Sequence, residues 1–472
     1  MKLTPKQWIF FLIVAIIFVL IEAKGLTQVG PGDENVYFYM AKMVSQDQMP
    51  YKDFLYVHPP LHIFVLAALI KIFGVNFFIL KSATLSFLLT ASFFLYALCL
   101  ELFQNKFNDK NANLISVISI ILFLSSFTTL FTATFSVGVE LSVMLMMISF
   151  YFVFIKKYFV GGIFAGLAGL TRFYALVPLF ALFVFIFIKK VQEKKFKDFL
   201  KLVAGFLIIF GTVMIILTAL YGHNFIDDAI KYHFLKPKLP GQRTTVYENV
   251  IKENWIIIVL FLLFLFAENK NRLQLFLFAI IIYLLFFLSL NVPAEFYLIL
   301  IFPLLALVGA YSLVNLITRI KLKYLKYFLT ALIMLIFLWN TAADVMFLEK
   351  IGFLPFSSLN PMISKVSATS PDSKIFGDAS IAPLLALMSN RNIALNYIDT
   401  NEMTFTSGLT NFYIFTNNLD NVNLSYIIFR KNYGLHQIEQ FRQYAQSRCK
   451  FEQQYSDILE GEFLLYKCNK EI

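Results

Sequence analysis

Long apolar segments alternate with short polar ones along most of the chain. A membrane-spanning helix needs about 20 apolar residues, and eleven segments are candidates, although several are shorter than this. They lie near 8–23, 77–101, 113–131, 138–155, 158–170, 173–188, 202–221, 254–267, 273–290, 294–316 and 328–345. The pattern predicts a polytopic α-helical membrane protein with about 11 transmembrane helices, formed by residues 1–345. The first segment follows Lys2 and Lys6; a cleaved signal peptide is the alternative, but no small-residue cleavage site follows Glu22.

Two apolar segments of unusual length determine the predicted topology. The segment from Leu61 to Phe73 has thirteen residues, about 20 Å of helix, so we expect it to lie at the outer membrane interface. The run 158–188 would be about 46 Å long as one helix, well beyond the hydrocarbon core. Lysines stand at both of its ends. We therefore predict a hairpin with its tip near Gly169–Arg172.

The loops between these segments carry a repeated charge signal. Lys or Arg occurs in each of the loops 104–112, 156–157, 189–201, 268–272 and 317–327, which the positive-inside rule places in the cytoplasm together with the N-terminus. The outer side then holds a first loop (24–76), a loop at 222–252 and everything after about 346.

The last part of the chain has a different pattern. After about 346, polar residues return and segments with strand and helix patterns alternate. Strands are predicted at Ser373–Asp378, Asn392–Ile398, Leu424–Arg430, Lys450–Tyr455 and Glu462–Tyr466, and helices at Pro383–Met388 and His436–Ser447. We predict a small extracytoplasmic α/β domain over 346–472. Cys449 and Cys468 fall in the closing hairpin, where either a disulfide or two free thiols is compatible with the sequence.

Composition and charge agree with a membrane protein. The 472 residues are 59% hydrophobic and 15% charged, with a mean hydropathy of +0.72, whereas soluble domains are about 25% charged. The net charge of +11 would indicate nucleic acid binding in a soluble protein. Here the predicted cytoplasmic tail and loops carry eighteen Lys or Arg against four Asp or Glu, so the excess reports membrane orientation. No nucleic acid partner is expected.

An acidic pair stands in the first outer loop. Asp33–Glu34 follows a Pro31–Gly32 turn and precedes a segment with a helical pattern. An acidic residue there can simply cap the helix and interact with its positive dipole end. That alternative applies to any Asp seen in isolation, so the surrounding motifs matter.

The ordered motifs of this region resemble those of the membrane-embedded C-type (GT-C) glycosyltransferases. The likeness is to the superfamily of dolichyl-phosphate-mannose protein mannosyltransferases and aminoarabinose transferases, and it extends to about residue 316. The matching segments are Asp33–Glu34, Pro50–Phe54, His58–Leu61, Phe73–Gly74, Glu140, Gly166–Leu176 and Phe296–Pro303. The chain departs from the pattern at Val57–His58, where some members have an acidic–Lys pair, which makes a basic phosphate contact there less certain.

The resemblance implies a function in glycosylation of the cell envelope. The implied enzyme moves a hexosyl or pentosyl group from a polyprenyl-phosphate donor, with inversion, to a lipid, glycan or protein acceptor. Asp33 would be the base, Glu34 would orient the acceptor or sugar hydroxyls, and His58 and Glu140 would contribute to substrate binding. A divalent cation is possible, with Asp33, Glu34 and Glu140 as candidate ligands, because some relatives use a metal and others do not.

The departing phosphate needs cationic groups. Arg172 is one candidate, because a charge at a hairpin tip inside the membrane usually faces a polar cavity; the alternative is that its side chain extends to the lipid headgroups. Loop 222–252 offers further basic residues, for which membrane lipids are the alternative partners. These are His223, Lys231, His233, Lys236, Lys238 and Arg243.

Two other classes of protein fit the apolar pattern. A polytopic transporter or lipid flippase predicts charged residues at mid-membrane and related halves, whereas here the acidic pair is in an outer loop. A membrane scaffold with a partner-binding outer domain is the third possibility. Only the resemblance argues against both.

Overall fold

The computed structural model describes residues 4–104, 109–236, 242–268, 273–351, 359–406, 408, 410–457 and 461–468. By its internal contacts the chain divides into two compact units. The first unit comprises Met1–Ala23, Lys81–Ile216 and Leu239–Leu348. The second comprises Lys24–Leu80, Leu217–Lys238 and Glu349–Ile472.

The described chain is mostly helical. Up to residue 351 the α-helices are α1 (Pro5–Thr27), α2 (Glu34–Ser45), α3 (Leu61–Phe73), α4 (Phe77–Phe103), α5 (Asp109–Leu124), α6 (Phe127–Thr132), α7 (Val139–Phe154), α8 (Tyr158–Thr171), α9 (Leu176–Gln192), α10 (Phe196–Phe206), α11 (Thr212–Tyr221), α12 (His223–Ile226), α13 (Tyr232–Leu235), α14 (Gln242–Glu253), α15 (Trp255–Leu262), α16 (Gln274–Ser289), α17 (Phe302–Arg319) and α18 (Lys323–Ile351). Short π segments at Leu207–Gly211 and Asp227–Lys231 connect α10 to α11 and α12 to α13.

Six helical stretches in the described residues are long and apolar enough to cross a membrane. They are Pro5–Thr27, Phe77–Phe103, Phe173–Gln192, Phe196–Tyr221, Phe302–Arg319 and Lys323–Glu349. A seventh results if α14 and α15, which meet at 78°, form one span. The helices α3, α5, α7, α8 and α16 are apolar but shorter. Each of the eleven segments predicted from the sequence contains a helix, and the number of spans stays a prediction.

The chain leaves helical geometry at the predicted hairpin tip. Arg172, between α8 and α9, is extended, with φ −147° and ψ 125°.

Helix α8 packs closely against α10. A Cβ built on Gly162 would lie 2.0 Å from the carbonyl oxygen of Leu202, and one on Gly205 would lie 2.1 Å from that of Phe159. Small residues therefore let these two backbones touch, as in many membrane helix pairs.

The C-terminal residues form an α/β fold with one five-stranded sheet. Its elements are α19 (Asn360–Ser367), β1 (Lys374–Gly377), α20 (Ala382–Ser389), β2 (Asn392–Ile393), α21 (Glu402–Thr406), α22 (Phe412–Asp420), β3 (Leu424–Arg430), α23 (Glu439–Arg448), β4 (Cys449–Asp457) and β5 (Gly461–Cys468). The strand order is β2-β1-β3-β5-β4, with β2, β1 and β3 parallel and β5 antiparallel to both β3 and β4. Phe376, Ile427, Phe441 and other buried apolar residues form the core between sheet and helices.

The structure corrects one predicted strand of this domain and adds a covalent link. The strand expected over Asn392–Ile398 ends at Ile393, because Leu395 and Asn396 have positive φ values of 56° and 53°, which extended backbone does not allow. The other predicted strands form within a few residues of their expected positions. Cys449 and Cys468, paired across β4 and β5, are joined in a disulfide.

Candidate active site

The acidic pair lies where helix α2 begins. Gly32 has φ 150°, a conformation that favours glycine, and the helix starts two residues later at Glu34. The Asp33 side chain is exposed, whereas that of Glu34 is only 4% exposed. The Asp33 carboxylate caps none of the N–H groups in the first turn of α2, so helix capping does not account for an acidic residue at this position.

Loops of the C-terminal sheet contact this segment within the second unit. The N–H of Gly32 donates to the carbonyl of Ser380 at 2.8 Å. The N–H of Ile393 donates to the hydroxyl of Tyr39 at 2.9 Å, and the Asn396 side-chain amide reaches the carbonyl of Asp53 at 3.4 Å. The chain around β1 and β2 is thereby held to α2 and to the segments on either side of it.

This contact brings Asp399, which sequence analysis did not single out, into electrostatic range of Asp33. The carboxyl is partly buried and also interacts with Lys236. Burial raises the pKa of Asp399 to about 6; repulsion from Asp33 acts in the same direction, and attraction to Lys236 opposes both. Nothing in the sequence distinguishes Asp399 from the other acidic residues of the domain, because its position depends on the long-range contact.

Two predicted histidines meet in the same unit. The rings of His58, in the segment between α2 and α3, and His233, in α13, are 5.3 Å apart between centroids. The Nε2 of His233 is 2.7 Å from the carbonyl oxygen of Val57. Tyr37 of α2 packs against His58 and also against His62, with centroid distances of 6.0 and 5.5 Å. A cluster of aromatic and imidazole rings therefore joins α13 to α2 and to the segment between α2 and α3.

The loop 222–252 also supplies a partly buried acid. Asp228 accepts a hydrogen bond from the backbone N–H of Tyr56. Burial raises the pKa of Asp228 to about 7, and the neighbouring Asp227 adds to the rise. The sequence pattern had indicated only basic residues in this loop, so this carboxyl was not predicted.

Two of the three predicted lysines of this loop, Lys231 and Lys236, have different surroundings. The ammonium of Lys231 is 2.5 Å from Asp227, and both side chains are exposed. Lys236 lies 4.8 Å from the ring centroid of Tyr232 and within electrostatic range of Asp399. Lys236 is therefore a predicted cation that lies close to Asp399. His223, also a candidate, is exposed at the start of α12, and Lys238 lies outside the described residues.

Glu140 and Arg172 come together in the first unit. Both side chains are buried, at 1% and 2% exposure. Glu140 accepts a hydrogen bond from the N–H of Gly138 at 3.1 Å, and an Nη2 hydrogen of Arg172 goes to the carbonyl of Val137. The two charges interact at the turn before α7. The Arg172 side chain thus reaches from the break between α8 and α9 to the turn before α7.

Arg243 lies elsewhere in the first unit. Its Nε donates to the carbonyl of Leu290 at 2.9 Å, and its Nη2 contacts the same oxygen. This contact ties the start of α14 to the end of α16.

No candidate metal site is found in the described ranges: no group of three or more His, Cys, Asp or Glu side chains is placed to hold an ion.

Comparison with known proteins gives a fold. No protein-family model matches the chain, and no curated protein sequence matches it. Among solved structures it is similar to ArnT from Cupriavidus metallidurans bound to undecaprenyl phosphate, with a TM-score of 0.67 and 11% identity over 99% of both chains. The apo crystal structure of ArnT gives a TM-score of 0.68 and 11% identity over 97% of both chains. This chain is thus a multi-pass membrane protein with the fold of ArnT, in agreement with the fold that its sequence resemblance implied.

Proposed function

We propose that the protein is a glycosyltransferase that takes a hexosyl or pentosyl group from a polyprenyl-phosphate donor. The observation that carries this proposal is the extent of the fold match, which covers 99% of both chains and so includes the C-terminal domain. The matching ArnT crystal structure contains undecaprenyl phosphate, a lipid of the proposed donor's class. A polyprenyl phosphate is accordingly the proposed leaving group.

Such a donor already carries a good leaving group, so catalysis needs a base for the acceptor and cations for the phosphate. In the proposed reaction the Asp33 carboxylate takes the proton of the acceptor hydroxyl. The hydroxyl oxygen forms a bond to the anomeric carbon as the bond from that carbon to the phosphate oxygen breaks. Attack opposite to the leaving group inverts the anomeric configuration.

The remaining predicted residues are assigned by their contacts. Glu34, beside Asp33, is proposed to orient the acceptor or the sugar hydroxyls. His58, His233 and Lys236 are the proposed phosphate-side groups of the second unit, because the two histidine rings are in contact and the charge of Lys236 lies within electrostatic range of Asp399. Lys231 and Arg243 have lower priority, since Asp227 and the Leu290 carbonyl already contact them. Arg172 and Glu140 are proposed to line the donor side of the membrane domain.

The proposed location is the outer membrane surface. Eleven spans with a cytoplasmic N-terminus put the first outer loop, loop 222–252 and the C-terminal domain on the same side, as the positive-inside pattern of the loops requires. A lipid-linked sugar and its lipid, glycan or protein acceptor would meet there. A divalent cation with Asp33, Glu34 or Glu140 as ligands stays a prediction from the resemblance.

The test is transfer by the purified protein with the variant Asp33→Asn. Removing a general base typically costs about 10²–10⁴ in rate, so we expect the variant to lose measurable transfer from a panel of polyprenyl-phosphate sugars. Asp47→Asn is the matched control: Asp47 is an exposed acid of the same unit with φ 65°, a conformation that Asn tolerates well. Unchanged thermal unfolding in both variants would show that they fold.

Two results would contradict the proposal. Normal transfer by Asp33→Asn would remove Asp33 as the base. Lipid translocation without any transfer by the wild-type protein would favour the flippase alternative instead.

A further inference from the structure

The turn that carries Asp33 is held from two sides. The side-chain amide of Asn35, a fully buried residue in the first turn of α2, donates to the carbonyls of Gly30 and Gly32 at 2.8 and 3.2 Å. From the C-terminal domain, the carbonyl of Ser380 accepts the N–H of Gly32 at 2.8 Å. The backbone next to Asp33 is therefore bound both to its own helix and to the C-terminal domain.

The C-terminal domain holds α2 at further points along the helix. Tyr39, in the middle of α2, is 3% exposed, and its hydroxyl accepts the N–H of Ile393 in β2 at 2.9 Å. Near the end of the helix, the ammonium of Lys42 donates to the side-chain oxygen of Asn390, just before β2, at 3.3 Å. Because these contacts lie further along the helix than Gly32, one domain fixes both the start and the body of α2.

The loop that carries Ser380 is itself closely packed. Asp378, directly after β1, is 5% exposed, and its Oδ1 accepts hydrogen bonds from the N–H and the hydroxyl of Ser380, at 3.1 and 2.8 Å. A Cβ built on Gly434, after β3, would lie 2.1 Å from the Oδ2 of Asp378. The hydroxyl of Thr400, after β2, donates to the carbonyl of Gly377 at 2.5 Å. The loops that follow the three parallel strands are thus packed together, and they give Ser380 the supporting contacts that keep a functional site in place.

We propose that the C-terminal domain is a positioning element of the active site: through Tyr39 and the carbonyl of Ser380, it holds α2 so that Asp33 is directed at the acceptor hydroxyl. The proposal rests on the proposed function, in which Asp33 is the base. Tyr39 is a positioning residue in this scheme, because it acts through the helix and does not touch the substrate.

The physical basis is that a helix attached at one point can turn about its axis, whereas a second attachment removes this freedom. Attack needs the base and the acceptor in a near-attack geometry, and a misplacement of about 1 Å can cost about 10²-fold in rate. The groups proposed to hold the donor phosphate have contacts of their own. The rings of His58 and His233 are in contact, and the Nε2 of His233 is 2.7 Å from the carbonyl oxygen of Val57. Loosening α2 should therefore slow the attack more than it weakens donor binding.

The kinetic test compares the full-length protein with Tyr39→Phe and the control Tyr444→Phe. Each variant loses one hydroxyl and keeps its ring; the hydroxyl of Tyr444 donates to Asp420 at 2.8 Å, between α23 and the end of α22. We expect Tyr39→Phe to lower kcat by about tenfold, part of the loss that a full misplacement causes. Its KM for the most active polyprenyl-phosphate sugar should stay unchanged, and Tyr444→Phe should keep both wild-type constants. A wild-type kcat in Tyr39→Phe, or a rise in KM alone, would overturn the proposal.

Amide hydrogen exchange of the purified protein tests the attachment without any activity. In Tyr39→Phe the N–H of Ile393 loses its acceptor, so it should exchange roughly two- to tenfold faster, the net effect of one hydrogen bond. The amides of residues 32–36 should also exchange faster, because the start of α2 is less firmly held. Tyr444→Phe should match the wild type in both segments. Unchanged exchange over 32–36 in Tyr39→Phe would show that this contact does not hold the turn of Asp33.

The two measurements separate the two proposals. If the wild type transfers no sugar, the proposed function fails; faster exchange over 32–36 in Tyr39→Phe then still supports the attachment, and unchanged exchange overturns it. If the wild type transfers sugar, Asp33→Asn does not, and Tyr39→Phe keeps the wild-type kcat, the function stands and the positioning role fails.

Discussion

Aspartates of the second unit differ in chemistry because their surroundings differ. Asp33 is exposed at a helix start, whereas Asp228 is partly buried against the backbone of Tyr56. Burial penalises the charged form of a carboxyl, and a neighbouring negative charge adds to that penalty. Burial therefore raises the pKa of the Asp228 carboxyl, whereas Asp33 remains exposed to solvent.

Asp228→Asn tests this difference. The pKa of Asp228 is about 7 in the folded protein against 3.8 when unperturbed. The folded state therefore becomes less stable relative to the unfolded state as pH rises between these values. Asn keeps an oxygen to accept the Tyr56 N–H but cannot ionise. We expect the variant to unfold at a higher temperature than the wild type at pH 8, with a smaller difference at pH 5. If Asp228→Asn unfolded at a lower temperature than the wild type at pH 8, the raised pKa of Asp228 would be contradicted.

The sequence predicted single residues of the site better than their partners. Asp33 at a helix start follows from the Pro31–Gly32 turn and the helical pattern after it. The contact of His58 with His233 joins positions 175 apart in the chain, and no local pattern encodes such a pairing. The proximity of Asp399 to Asp33 depends on the docking of the C-terminal sheet, which local patterns also do not specify.

At the level of elements, the length and periodicity of apolar segments predicted the helices and strands. They did not predict where the backbone leaves regular geometry within a predicted strand. Helix α3 forms over Leu61–Phe73, the segment whose apolar pattern predicted it. β2 is shorter than predicted because Leu395 and Asn396 adopt left-handed backbone, which alternation of side chains does not reveal. The break at Arg172 was predicted from length and charge at the ends of the run.

The close packing of α8 on α10 gives an element-scale prediction. In Gly162→Ala the new Cβ would be 2.0 Å from the Leu202 carbonyl oxygen, so the backbones must separate and lose packing. We expect a clearly lower unfolding temperature in detergent. Gly211→Ala, where the nearest atom is a Leu207 side-chain carbon at 3.7 Å, is the control and should unfold near the wild-type temperature. Equal unfolding temperatures for the two variants would refute the proposed close contact.

For the whole molecule, the distribution of charge among the loops predicts the membrane topology, which the length of the apolar segments alone does not. Six described helical stretches satisfy the length criterion for a span, yet the apolar pattern includes shorter helices such as α7 and α8. Short helices span when neighbouring helices and polar ends accommodate them. The positive-inside pattern predicts which loops lie on which side, and in that prediction both α7 and α8 cross the membrane.

The predicted orientation can be tested in intact cells with single-cysteine variants and a membrane-impermeant maleimide. Asp372→Cys, in the C-terminal domain, should react from outside, because the last span is expected to end near residue 345 with its end outward. Lys194→Cys, in the lysine-rich loop between α9 and α10, should react only after permeabilisation. The native cysteines leave little background, since Cys99 is buried and Cys449 and Cys468 are joined. Labelling of Lys194→Cys in intact cells would invert the orientation and place the lysine-rich loops outside. Asp399 belongs to the same C-terminal fold as Asp372, so labelling of Asp372→Cys also tests on which side of the membrane Asp399 lies.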